Sequence, residues 1–379
     1  MILYVDIHYF EVYFKFRVRK FMKLFKSLLV APATLGLLAP VAATANEVTI
    51  NDFAPAEQLA VTNSRVDGLE ARMNDFEAGG FSETTTASFS LDTVIGAVDG
   101  GNDSSEAMSF DYSMNIGLST SFTGEDSLDV TIDIGNGAYA ADGSGKTEAA
   151  TVLDFQGTGD KMVVDGITYT FPLGGATVVV GDTTDISSTF TGACAYSAFT
   201  DLLGDCGTGN SLGVGTKGVT ASLGYAFDSG FSLAGGVSSV ETEILTKEGK
   251  DLYGIEAAYT ADTYGVAVAY VSDDGGTGAE TTYWGVNAFY APENTSLPSI
   301  SGGIETSESA GTDKSGYFVG LTWPEVGPGS VSLGLATNKL YADSETEYFT
   351  YEASYSYPIN DGMTVTPGVF IKESGSSAD

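Results

Sequence analysis

The feature that most limits the fold of this chain is an alternation of period two whose second face is small and polar, not charged. Phe110, Tyr112, Met114, Ile116 and Leu118 alternate with Ser109, Asp111, Ser113, Asn115, Gly117 and Ser119. Leu128, Val130, Ile132 and Ile134 alternate with Asp129, Thr131 and Asp133. The pattern returns at Tyr264–Tyr270, Trp284–Tyr290, Tyr317–Trp323 and Phe349–Tyr357. Successive side chains of a strand point to opposite faces, so each run is a strand with one apolar side. A soluble sandwich hides that side and turns a Lys- and Glu-rich one to water. A membrane barrel turns the apolar side to lipid and small polar residues to a wet lumen. Only 17% of the residues are charged while 48 are glycine, and this composition fits the lumen better than a soluble surface. The expected fold is therefore all-β: a transmembrane antiparallel β-barrel, preceded by a short α-helix. Aromatic residues at the strand ends, Tyr264 and Tyr270 or Trp284 and Tyr290, suit the two interfacial girdles.

Fifteen strands are expected, near 84–97, 108–122, 127–135, 162–172, 176–182, 217–227, 230–240, 251–260, 263–272, 280–291, 298–307, 315–324, 329–338, 347–358 and 362–372. Their connections alternate. Thr123–Asp126, Leu173–Gly175, Asp228–Gly230, Ala261–Asp262 and Ile359–Asp361 are tight. The intervening stretches 98–107, 136–161, 183–216, 241–250, 273–279, 308–314 and 339–346 are longer, acidic and Gly-rich. One end of short turns and one of long loops is the outer-membrane arrangement, with the long loops outside. Single-chain bacterial barrels usually have an even number of strands. Sixteen are therefore expected, and Glu373–Asp379 reads as an outer loop leading to a last strand that the sequence does not contain.

Ahead of the strands, Met22–Ala45 has the three parts of a signal peptide: Lys23 and Lys26, the apolar run Leu28–Val41, and the small residues Ala43–Ala45. Residues 1–21, with the only histidine, His8, then read as an over-extended start. Residues 46–80 form an N-terminal segment with a helix over 56–78. Leu59, Val66, Leu69, Met73 and Phe76 fall on a and d positions of three heptads there, and Gly79-Gly80 stop it. Three heptads support a trimer held by something else, or a single amphipathic helix. The barrel takes 81–379.

The chemistry that the chain excludes is as informative. Net charge is −34, and removal of residues 1–45 leaves 10 basic residues against 48 acidic ones, so nucleic acid is not an expected partner. No histidine follows residue 45, which removes Ser-His-Asp and Cys-His catalysis and histidine zinc sites. No catalytic residue, cofactor or metal site is expected. Gly213–Gly218 fits G-x-G-x-x-G but precedes a strand instead of opening a helix. Asp99–Asp103 and Asp273-Asp274 could hold Ca²⁺, though without EF-hand spacing, and otherwise read as solvated loop tips. Two cysteines behind a secretory signal suggest one disulfide, Cys194–Cys206.

The chain resembles the cyanobacterial outer-membrane porins related to carbohydrate-selective and "iron uptake" porins. The resemblance lies in the signal-like start at Met22, Asn63–Arg72, Gly80–Thr86, Tyr169–Gly174, the Cys194/Cys206 loop and Gly362–Phe370. It departs from that family in two ways: Asn46–Pro55 leave no room for an S-layer-homology domain, and the closing aromatic strand is not found. The resemblance implies an outer-membrane channel, a partner set of lipid bilayer and small hydrophilic solutes (ions, sugars or iron), and a homotrimer. In general porins of this architecture the third long loop folds into the lumen and narrows it. Here that loop holds the two cysteines. It makes Asp182, Asp185, Asp201 and Asp205 candidates for a charged constriction, and Tyr196 and Phe199 for its sugar-stacking or packing face. Asp111, Asp129 and Asp133 are lumen-facing candidates by alternation. The competing reading is a secreted or surface-exposed β-rich structural protein or adhesin without a channel.

Overall fold

The structure is a computed structural model, which describes residues 4–7, 85–98, 108–136, 152–153, 155–214, 218–244, 246–294 and 296–373. The signal-like segment, the heptad helix, Asp99–Asp103 and residues 374–379 lie outside them. Fifteen long strands follow one another in a single antiparallel meander, from β2 (Thr85–Gly96), β3 (Ser109–Thr120) and β4 (Ser127–Gly135) to β15 (Phe349–Asn360) and β16 (Met363–Lys372). Between them run β5 (Val163–Leu173), β6 (Ala176–Asp182), β7 (Val219–Ala226), β8 (Phe231–Ser239), β9 (Asp251–Thr260), β10 (Tyr264–Asp273), β11 (Thr281–Tyr290), β12 (Ser299–Ser309), β13 (Thr312–Val326) and β14 (Gly329–Thr337).

One further strand has no counterpart in the sequence reading. β1 (Tyr4–Ile7) pairs antiparallel with both ends of the meander, at three positions on β16 and three on β2, and so completes a closed ring. It comes from the stretch read as upstream of the signal peptide.

The alternation takes the inverted sense that a membrane barrel requires. Along β9, Tyr253, Ile255 and Ala257 are exposed, while Leu252, Gly254, Glu256 and Ala258 between them are buried. Large apolar residues stand outward around the sheet: Leu233 is 52% exposed, Ile255 62%, Ile304 58% and Val319 53%. The opposite face holds Ser222, Asn287, Ser301, Glu305, Ser332 and Glu352, all buried. An apolar band of this extent is far larger than a soluble monomer shows to water. Aromatic pairs mark its two margins, with Phe231 against Tyr259 at 4.8 Å at one end of the strands and Tyr270 against Trp284 at 4.9 Å at the other. Among the described residues no helix is long and apolar enough to cross a membrane.

The expected outer loop 308–314 is instead a tight hairpin. β12 runs to Ser309 and β13 starts at Thr312, and the two pair directly. Ala310 and Gly311 both have positive φ, 49° and 76°, the backbone of a two-residue hairpin turn. The Ser-, Glu- and Asp-rich flanks that read as loop are strand residues.

At the short-turn end one carboxylate organises the β3–β4 connection. Asp126 accepts hydrogen bonds from Ser121 Oγ at 2.8 Å, the N–H groups of Phe122 and Thr123 at 2.9 and 2.7 Å, and the Tyr169 hydroxyl at 2.6 Å. The Tyr169 bond first, then the Thr123 amide, hold its carboxyl well below the usual carboxylate range. Its stabilisation is therefore complete above about pH 4, the ordinary value, and is lost only as pH falls through the lowered one in strong acid. Asp126→Asn should lower the temperature at which the folded form converts to the unfolded form on a gel at neutral pH. The difference from wild type should shrink in strong acid.

Candidate functional site: the interior loop

From the end of β6, residues 183–214 run along the buried polar face of the sheet. Glycines on the wall make room for them. A Cβ on Gly236 would lie 2.7 Å from the Ile186 carbonyl oxygen, and one on Gly254 would lie 2.7 Å from Ile186 Cδ1. Further along, Cβ atoms on Gly285 and Gly303 would collide with Ser211 Oγ and the Cys206 carbonyl oxygen. On Gly320 and Gly334 they would collide with the Tyr196 ring and hydroxyl, and on Gly368 a Cβ would come within 2.5 Å of the Phe199 ring. β-Strand glycine is expected where another backbone approaches closely, and here β7 to β16 carry a furrow of it.

Apolar contacts seat the loop in that furrow. Ile186 and Val214 pack with Leu252 and Val271, Ala193 and Leu212 with Ala258, Ala267 and Ala269, and Leu203 and Cys206 with Phe318 and Ala336. Cys194 and Cys206 are joined by a disulfide, with Cα atoms 5.9 Å apart. Asp205 and Cys206 both have left-handed backbone, φ 49° and 51°.

Polar anchors come from the wall. Glu352 on β15 accepts four hydrogen bonds: from the Tyr196 hydroxyl and Phe199 N–H at 2.7 Å each, and from Thr200 N–H and Oγ1 at 2.8 and 2.6 Å. Glu305 on β12 accepts from Asn210 Nδ2 and Ser211 Oγ, both at 2.7 Å. Glu256 on β9 accepts the Thr191 N–H with both oxygens at 3.1 Å, and Asn287 Oδ1 accepts the Ala193 N–H at 2.8 Å. A carboxylate is an acceptor only, so four donors fill most of what Glu352 offers. Sequence reasoning missed these three glutamates. The available signal was an acid between outward apolar neighbours, as in Ile304-Glu305 and Tyr351-Glu352.

The six loop candidates separate. Tyr196 and Phe199 are packing residues: the Tyr196 ring lies 5.0 Å from that of Phe318, and Phe199 is 5% exposed. Burial first, and the Glu352 charge second, hold the Tyr196 hydroxyl far above its ordinary pKa, so it stays a neutral donor. Asp185 precedes the 3-10 turn Ile186–Thr189 without capping it, and is half-buried. Asp201 and Asp205 are exposed within the 3-10 segment Asp201–Gly207. The Asp205 carboxyl touches solvent, yet the surrounding protein removes enough water to raise its pKa. Asp182 belongs elsewhere. It pairs with Ile167 and Val219, whose side chains are exposed on the outer face, and contacts Glu241 at the rim. Residues directly opposite in a sheet share a face, so Asp182 stands outside the lumen.

On the β3–β4 wall, Asp111 and Asp133 are buried on the inner face, with Ser109 Oγ on Asp111 and Asn115 Nδ2 on Asp133 at 2.7 and 2.8 Å. Asp129 shares that face and accepts from Ser127 Oγ at 2.5 Å. The described strands carry two basic residues, Lys314 and Lys372, both near long-loop ends. The mid-strand interior is thus acidic without a basic counterpart. Asp273, considered for calcium, pairs with Lys250 at 2.6 Å, and Asp274 accepts the N–H groups of Asp251 and Gly276. Among the described residues no group of three or more His, Cys, Asp or Glu is placed to hold a metal ion.

No protein-family model matches the chain. An uncharacterized protein of Nostoc sp. is 34% identical over 156 residues, covering 36% of this chain. The match spans only 27% of that protein's length. Among solved structures, OprB of Pseudomonas putida aligns over 76% of this chain and 93% of its own, with 10% identity and a TM-score of 0.53. A mutant form of the Rh. blastica porin aligns over 76% of this chain and 100% of its own, with 12% identity and a TM-score of 0.48. The likeness to OprB shows a shared barrel fold.

Proposed function

We propose that the protein is an outer-membrane porin: a water-filled, cation-preferring channel for passive diffusion of small hydrophilic solutes, narrowed by the third long loop. One observation carries this reading. The sheet is apolar outside and polar inside, and a cross-linked loop is held against the inside wall. A soluble adhesin has no use for either arrangement. The acidic interior, with Asp201 and Asp205 on the loop and Asp111, Asp129 and Asp133 on the facing polar wall, favours cations through the field it sets in a confined lumen. A trimer is part of the proposal, as is passage of sugars or iron among the solutes.

The test is a planar bilayer. Purified full-length chain should give stepwise conductance and, under a KCl gradient, a reversal potential of the sign for cation preference. A soluble monomer without conductance would overturn the channel reading, and anion preference would overturn the electrostatic one. The pH dependence has a defined sign. Because burial raises the Asp205 pKa, this group is neutralised before an ordinary carboxylate as pH falls. Cation preference should begin to decline above about pH 4. Asp205→Asn should remove that early part of the decline.

A further inference from the structure

The meander has an odd number of long strands, so β2 and β16 run in the same direction and cannot pair antiparallel with each other. β1 lies between them with three paired positions on each side, where β6 and β7 share six and β12 and β13 share eleven. This seam is the thinnest part of the ring. The tip of the interior loop sits on its inner side. Phe199 and Phe155 form a buried cluster with Val94 of β2, and Phe370 of β16 packs against it. Gly368 of β16 leaves room for the Phe199 ring. Next to the seam, Glu352 of β15 holds the Phe199 and Thr200 N–H groups at 2.7 and 2.8 Å.

We infer that the loop tip is a staple closing the barrel: Phe199 bridges β2 and β16 from inside, and Glu352 is the positioning residue that places it. The apolar ring touches both edge strands, while the carboxylate fixes the backbone that carries the ring. The loop then has a second task besides narrowing a pore. The inference rests on the fold and not on the channel reading, since a chain that passes no ions would still need its seam closed.

Hydrogen–deuterium exchange on the folded full-length chain in detergent tests it. Phe199→Ala should speed exchange of amides in 93–96 and 366–371 by about tenfold, leaving β9–β11 unchanged. Ile186→Ala, which removes a comparable apolar contact at the other end of the loop, should speed β7–β9 and leave the seam alone. Glu352→Gln should act at the seam, less than Phe199→Ala. Phe199→Leu keeps most of the apolar volume and should show a smaller rise at the same peptides, so the test survives if the alanine variant fails to fold. A rise spread evenly over all strands, or no change at the seam in Phe199→Leu, overturns the staple.

Discussion

Replacing Cys194 and Cys206 together by serine is expected to leave a folded barrel with an altered channel. The strand ladders do not involve the disulfide, and the described fold presents the bridge only within the interior loop. In the chain-entropy picture a loop of about 15 residues gains roughly 3 kcal/mol from such a bridge. That figure must be set against what else holds the loop. Outside the ring, Glu256 accepts the Thr191 N–H and Glu305 accepts from Asn210 and Ser211, and bonds to a charged group contribute about 1.5–3 kcal/mol each. The outer parts of the loop are thus held without the bridge. The segment between the cysteines is different, because it contains Asp201 and Asp205 and two consecutive left-handed residues at Asp205 and Cys206. Freed from the bridge, the part from Asp201 to Cys206, which lies past the Glu352 bonds to Tyr196, Phe199 and Thr200, loses its fixed shape. Single-channel conductance of the double variant should become heterogeneous and cation preference weaker. The temperature of the heat-dependent gel shift should move little. Reduction of the wild type should give the same result. A double variant with unchanged conductance but a collapsed gel-shift temperature would show that the bridge serves the barrel and not the channel.

The strands were legible because their signal is local. Phe110 to Leu118 alternate without reference to any distant residue, and the turns carry Gly or Asp where the backbone needs them. The interior loop was legible as a segment but not as a path. Tyr196 meets Glu352 across 156 residues, and no local pattern encodes that pairing. Asp182 shows the sharper difficulty. One position along a strand reverses the face a side chain occupies, and a residue at the junction of strand and loop can be assigned to either. Register with Val219 settles it outward. The furrow was hidden in plain composition. Forty-eight glycines announce a small-residue interior, but only the crossing loop shows which of them are close approaches and which lie in turns.

Gly302 and Gly303 separate those roles at adjacent positions, and their valine variants should differ more than any other neighbouring pair in the barrel. Gly302 faces outward: a Cβ there would meet nothing nearer than the Phe318 carbonyl oxygen at 3.7 Å, an ordinary contact. Gly303 faces inward, where a Cβ would collide with the Cys206 carbonyl oxygen. The obstacle is backbone, and the disulfide to Cys194 keeps that backbone from giving way. Overpacking of this kind costs about 1–3 kcal/mol, occasionally more. The strand itself has no objection, since valine suits a strand better than glycine. The strain therefore falls on the loop. A displacement at Cys206 that keeps the nearby Asn210 and Ser211 bonds to Glu305 relieves it, so the loop should bulge into the lumen without unfolding the barrel. Gly303→Val is expected to lower unitary conductance strongly and to keep a heat-modifiable folded band. Gly302→Val should match wild type in both, or be slightly more resistant to heat. Equal conductance in the two variants would mean that the loop does not narrow the conducting path, because the only difference between them is the face of the strand from which the same side chain projects.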